Sequence, residues 1–170
     1  MSGITDVIPK ENGHTFIENA LIKARFAAKT VEYKTPIISD DSGLCIENLN
    51  NEPGIHSARW AKNNNYSLAF KKIINKINKN KIQATGQKAN FVCVLVLINK
   101  YKKEFIYKGI LKGTLAFPPR GTLGFGYDPI FIPLKYKNTL AEIDPELKNK
   151  ISHRNIAIKK LLKNKLFNKI

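Results

Sequence analysis

Acidic residues are scarce: 13 Asp and Glu stand against 29 Lys and Arg among 170 residues, a formal net charge of +16. Such an excess first suggests nucleic acid or another polyanion as a partner. Arginine, the side chain suited to bidentate phosphate and guanine contacts, is itself scarce. Only Arg25, Arg59, Arg120 and Arg154 accompany 25 lysines, and with 22 Ile and 18 Asn the pattern reads as a coding bias toward A and T. The lysines are therefore expected on solvated surface, and nucleic acid is not the expected partner. Long apolar runs are missing too. The longest, residues 91–98, has strand length and falls far short of the ~20 residues that span a bilayer. Met1-Ser2-Gly3-Ile4-Thr5-Asp6 has neither a basic stretch nor an apolar one, so no secretory signal is visible. No membrane partner and a cytoplasmic location are expected. The two cysteines, Cys45 and Cys93, lie in apolar segments and read as reduced core thiols, too few for a zinc site. Three scattered histidines, His14, His56 and His153, build neither a Ser–His–Asp arrangement nor a His-based metal spacing.

What remains is an ordinary globular composition, 43% apolar and 25% charged, of a length that encloses one core. Ile17, Leu21, Ala24, Ala28 and Val31 recur at helical spacing, which predicts a helix over 15–31 with Thr15 and Glu18 as a capping box. A short buried strand is expected at 36–38, ending in Asp40-Asp41-Ser42-Gly43, and a turn at 50–54. A second helix is expected over 66–79, with Leu68, Ile73, Ile74 and Ile77 inward. Residues 81–88 read as a polar loop, 90–99 as a central strand, 104–111 as another and 129–132 as a third. The Gly- and Pro-rich stretch 117–128 reads as a loop, and 154–167 as a last helix capped near Ser152. Strands and helices in one stretch without a linker predict an α/β or α+β domain.

Several segments carry residues fit for chemistry. In Asp40-Asp41-Ser42-Gly43, two carboxylates at a strand's end are what a hard cation such as Mg²⁺ requires, and one of such a pair can activate water. An Asp-, Ser- and Gly-rich turn is the plain alternative. Glu18 and Glu11 face the same choice, against a helix cap and a solvated loop respectively. Gly121-Thr122-Leu123-Gly124-Phe125-Gly126-Tyr127-Asp128-Pro129 brings glycines around an aromatic ring that can stack on a base; its alternative is a tight turn with Phe125 in the core. Its spacing is not the dinucleotide fingerprint. Lys148-x-x-x-Ser152-His153-Arg154 places a basic pair at a helix start, where an anion or a carbonyl oxygen can be met.

Taken in order, five pieces resemble the inosine triphosphate pyrophosphatase family, the dITP/XTP pyrophosphatases. They are Glu11-Asn12-Gly13-His14-Thr15-Phe16-Ile17-Glu18-Asn19-Ala20, Asp40-Asp41-Ser42-Gly43-Leu44, Pro53-Gly54-Ile55-His56-Ser57-Ala58-Arg59, Phe125-Gly126-Tyr127-Asp128-Pro129-Ile130-Phe131 and Ser152-His153-Arg154. The resemblance implies an elongated, two-lobed α/β fold, a mixed sheet with flanking helices and a nucleotide cleft between the lobes, usually in a homodimer. It implies hydrolysis of a purine nucleoside triphosphate such as ITP, dITP or XTP to the monophosphate and pyrophosphate, with Mg²⁺. Asp41 matches the family's catalytic, metal-binding carboxylate; Asp40 would support it, and Glu11 matches a second metal-binding acid. Ser42 matches a substrate contact and Lys23 a phosphate-facing lysine. Phe125, Gly126, Tyr127 and Asp128 match the segment that encloses the base, Lys148 a substrate-binding lysine, and His153 with Arg154 the pair that reads the base. Reading a 6-oxo purine needs donors aimed at O6, which Arg154 and a protonated or suitably tautomeric His153 supply.

The sequence departs from the family at its start. Members open with a strand ending in a Thr/Ser-Gly-Asn loop that grips the triphosphate. Here the match begins almost at Met1, and Ser2-Gly3 follows no strand. A single domain over residues 1–170, about thirty residues short at its N-terminus, is therefore expected, with an open sheet edge. A fold-keeping but inactive remnant and a basic nucleic-acid-binding protein are the competing readings.

Overall fold

The computed structural model describes residues 9–31 and 35–164. The expectations for Ser2-Gly3 and for residues 165–167 of the last helix lie outside them. Along the chain run α1 (Phe16–Thr30), β1 (Ile37–Ile46), α2 (Ser57–Trp60), α3 (Tyr66–Lys79), β2 (Lys88–Ile98), β3 (Glu104–Leu115), β4 (Phe131–Pro133), α4 (Pro145–Ile151) and α5 (His153–Leu162). The strands form one sheet in the order β1-β2-β3-β4, and all three pairings are antiparallel. The class is the expected one, α/β with helices against a sheet.

Local signals set several elements. Thr15 Oγ accepts the Glu18 N–H at 3.1 Å and the Glu18 carboxylate accepts the His14 N–H at 2.6 Å, so Glu18 is a helix cap. Ile73 and Ile77 of α3 are buried, but Leu68 is 45% exposed. It lies on the side of α3 away from Ala69, Ile73 and Ile77, the buried face that meets the core. The acid pair does not end a strand. β1 runs straight through it, because ten residues of β1 pair with β2 from Ile37↔Ile98 to Ile46↔Ala89. That ladder and its burial override the turn preference of Asp, Ser and Gly.

Strand alternation then divides β1. Asp41 faces α1, which packs on Val92, Val94, Val96 and Ile98 of β2. Asp40 and Ser42 face the other side, where α5 covers Cys93 and Leu95. The main core fills that second side at the far end of the sheet, with Leu44, Ile46, Ile73, Ile77, Leu115, Ile130 and Phe131 buried together. From Gly43 onward the free edge of β1 is covered: the Leu44 N–H donates to Ser57 Oγ at 2.9 Å and the Ile46 N–H to the Glu52 carbonyl at 3.1 Å. Over residues 37–42 no strand among the described residues pairs with it.

Both cysteines are buried and free. Burial pushes the Cys45 thiol up to about 11 and raises that of Cys93 as well, so both stay protonated, as core thiols do. Among the described residues no helix is long and apolar enough to cross a membrane.

Candidate active site

α5 begins where β3 has no side chain. A Cβ at Gly109 would lie 1.9 Å from the His153 carbonyl oxygen and 2.6 Å from the Ala157 amide. Hydrogen at this position lets the first turn of α5 lie directly on the sheet. Ser152 caps the helix by accepting the Asn155 N–H at 3.1 Å. His153 and Arg154 are thereby aimed at a cavity of about 340 Å³.

That cavity gathers residues far apart in sequence: Ser42, Phe125, Gly126, Tyr127, Asp128, Lys148, His153 and Arg154 all line it. The His153 ring stacks on Phe91, with centroids 4.9 Å apart and planes 11° from parallel. Burial, and then the charge of Arg154, lower its pKa to about 4. The imidazole is therefore neutral at neutral pH, the tautomer rather than the cation of the two forms expected from the sequence. Its Nδ1 is buried without a hydrogen-bond partner, a polar group left for something to satisfy. Arg154 donates to Asp40 Oδ2 at 2.8 Å, and Ser42 Oγ donates to the same oxygen at 3.0 Å. Burial favours the neutral Asp40 carboxyl, but Arg154 and Ser42 outweigh it and hold the group below its ordinary pKa.

The glycine-rich segment is an ordered wall of this cavity. Gly121, Gly124 and Gly126 have φ of 84°, 79° and 68°, the left-handed region that glycine enters freely. At Gly124 a Cβ would also meet Asp128 at 2.3 Å and Lys148 at 2.8 Å. Asp128, buried, accepts the Phe125 N–H at 2.7 Å and an ion pair from Lys148. The Lys148 ammonium lies 4.5 Å from the Phe125 ring centroid. Phe125 is not in the core: 71% of it is exposed, at the cavity's rim. The Tyr127 hydroxyl donates to the Ser57 carbonyl at 2.8 Å, and its ring meets Tyr66 edge-on.

The second cluster lies on the α1 side of β1. Lys23 Nζ sits 3.0 Å from Asp41 Oδ1 and 3.1 Å from Glu11 Oε1. Asn19 Nδ2 reaches Asp41 Oδ2 at 3.5 Å, and Asn19 Oδ1 accepts the Gly13 N–H at 2.9 Å. Arg59 donates to the Glu11 carbonyl at 2.6 Å. Asp41 is 8% exposed. Burial raises its pKa, and the like charge of Glu11 adds to that against the pull of Lys23. Burial also works against the charge on Lys23, but the two carboxylates overcome it and raise its pKa. Among the described residues no group of three or more His, Cys, Asp and Glu converges on one point. Asp40 is therefore apart from the other two acids expected to hold metal. Neighbours in a strand point to opposite faces, and Asp40 serves Arg154 instead.

The chain belongs to the Ham1 family. That family matches residues 2–164. A dITP/XTP pyrophosphatase of Zymomonas mobilis is 42% identical over 155 residues, 91% of this chain and 73% of that one. Two solved structures are similar throughout. A HAM1 protein from Coxiella burnetii has a TM-score of 0.83 at 41% identity, covering 93% of this chain and 79% of that one. The Ham1 protein of Staphylococcus aureus has a TM-score of 0.84 at 39% identity, covering 97% and 83%.

Three residues of this candidate site were not singled out in the sequence. Phe91 and Tyr66 line the cavity, and Asn19, fully buried, ties α1 to Asp41. Only Asn19 carried a signal, its place in the Glu11–Ala20 motif that resembles the family. Phe91 looked like any strand residue.

Proposed function

We propose that the chain is a nucleoside triphosphate pyrophosphatase that hydrolyses non-standard purine nucleotides (ITP, dITP and XTP), taking NTP and water to NMP and pyrophosphate and so keeping these nucleotides out of DNA and RNA. The observation that carries this reading is the pairing of two clusters around one strand. A cavity lined by aromatic rings, the His153 imidazole and a fixed guanidinium lies on one face of β1. Two carboxylates converge on a single cation on the other. The edge of β1 at residues 37–42, which no strand among the described residues pairs with, joins them.

In this reading the base lies against Phe91 and the rim ring of Phe125, and His153 and Arg154 donate to its O6. Adenine presents an amino donor there and is disfavoured. Asp40 positions the guanidinium. Asp41 accepts the proton of the attacking water. Lys148 and Lys23 are cations for the phosphates and the base.

The donor set fits Mg²⁺. The ion takes oxygen ligands, keeps several waters and needs only one or two carboxylates besides the substrate's phosphates, and Asp41 and Glu11 already place one oxygen each within 3.0 and 3.1 Å of one positive charge. When bound it would neutralise phosphate charge and polarise the bond that breaks. A cytoplasmic homodimer completes the proposal, following the resemblance.

The test is pyrophosphate release with Mg²⁺ from ITP and from ATP. The expected preference for ITP in kcat/KM is about a hundredfold or more, and Asp41→Asn should lower kcat by about 10²–10⁴-fold. No pyrophosphate from ITP, or equal turnover of ATP, overturns the reading.

A further inference from the structure

The position of Lys23 has a consequence for the cation. Its ammonium stands between Asp41 Oδ1 and Glu11 Oε1, at 3.0 and 3.1 Å, and those are the oxygens a divalent ion would need. Two cations cannot share that gap. Asp41 and the backbone of Glu11, moreover, have partners besides Lys23. Asn19, one helical turn before Lys23 on α1, holds Asp41 at 3.5 Å and the Gly13 amide at 2.9 Å. Arg59 fixes the Glu11 carbonyl at 2.6 Å. The Lys23 side chain is a quarter exposed, so its flexible stem has a way out toward solvent.

We propose that Lys23 is a resident counter-ion of the acid pair: it competes with the divalent cation for Asp41 and Glu11 when no nucleotide is bound, and it gives way when phosphates offer the ammonium another partner. The site thereby binds metal weakly by itself and well together with a triphosphate. This rests on the pyrophosphatase reading only for the identity of the triphosphate. The competition itself is a property of Lys23 and the acid pair.

The experiment is a titration of the whole chain with Mn²⁺, a paramagnetic substitute for Mg²⁺, followed by electron paramagnetic resonance in the absence of nucleotide. Lys23→Met keeps the stem and removes the charge. It should tighten Mn²⁺ binding by roughly tenfold, the size expected for two partly exposed ion pairs. Lys23→Gln is a second neutral variant, and circular dichroism and a melting curve check that each folds. Lys23→Arg keeps the charge and should bind Mn²⁺ as weakly as the wild type. Adding Asp41→Asn to Lys23→Met should abolish the gain, which places it at this site. If both neutral variants fold and bind Mn²⁺ no more tightly than the wild type, the proposal is overturned, whatever the turnover of ITP. If they bind more tightly while the wild type releases no pyrophosphate from ITP, the functional reading fails and the counter-ion stands.

Discussion

Replacing Gly109 with alanine should push the start of α5 off the sheet and move the base-reading pair with it. The new Cβ would lie 1.9 Å from the His153 carbonyl, and restoring an ordinary 3.4 Å contact requires a retreat of about 1.5 Å. The obstacle is backbone, so no side-chain rotation relieves it. Gly109 is not among the residues with positive φ, so alanine suits the local conformation and the whole effect is steric. Overpacking of this kind costs about 1–3 kcal/mol, a fall of roughly 0.5–1.5 M in the urea midpoint. His153 and Arg154 ride on the displaced turn, and a shift of about 1 Å near reacting groups can cost roughly a hundredfold in rate. Urea unfolding and the kinetics of ITP hydrolysis read the two effects separately. Ile77→Val is the control: Ile77 is 1% exposed in α3, far from α5, and the change costs about 0.5–1.5 kcal/mol without moving the cavity. The expected outcome is a KM for ITP raised tenfold or more in Gly109→Ala, by the displacement just described, and unchanged in Ile77→Val. A Gly109→Ala protein with wild-type midpoint and wild-type kcat/KM would refute the reasoning. Lost stability with an unchanged KM would refute the link between this packing and the site.

Three further outcomes follow from the geometry. Asp40→Asn leaves Arg154 without its carboxylate; it should raise the KM for ITP several-fold, cost at most about 1 kcal/mol because the pair is partly exposed, and leave Mn²⁺ affinity unchanged. An altered Mn²⁺ affinity would return Asp40 to the metal site. His153 has a pKa near 4 in the fold and near 6.5 in an unfolded chain, so between these values the unfolded chain binds a proton that the folded one does not. Stability is then complete above about pH 6.5 and falls by about 2–3 kcal/mol as the pH drops toward 4; urea midpoints at pH 7.5 and 4.5 should show this term in the wild type and not in His153→Gln. Phe125→Ala should scarcely change the melting temperature, because the ring is 71% exposed, but should raise the KM for ITP by roughly 5–100-fold if a stacking contact of about 1–3 kcal/mol is lost.

Much of the fold was written in local signals. The helix cap at Thr15 and Glu18, the periodicity of α1 and α3 and the apolar run of β2 all depend on neighbours in the chain, and each was readable there. Helix α4 was not. Asp144 caps it by accepting the Glu146 and Leu147 amides at 2.9 and 3.1 Å, but seven residues are too few to show a helical period. It is this helix that carries Lys148 to Asp128. Many residues of the candidate site, though not Phe91 or Tyr66, could likewise be named from the sequence, because five motifs in order marked them. Their grouping could not. Asp40 and Asp41 looked like one pair until pairing with β2 drew the chain out as a strand and sent the two carboxylates to opposite faces. Gly109 looked like an ordinary glycine until α5 was laid across it. Sequence alone determined which residues are available, since composition, caps and periodicity are short-range. Tertiary structure alone decided which of them share a face, because strand register and helix packing are set by contacts between segments far apart in the chain.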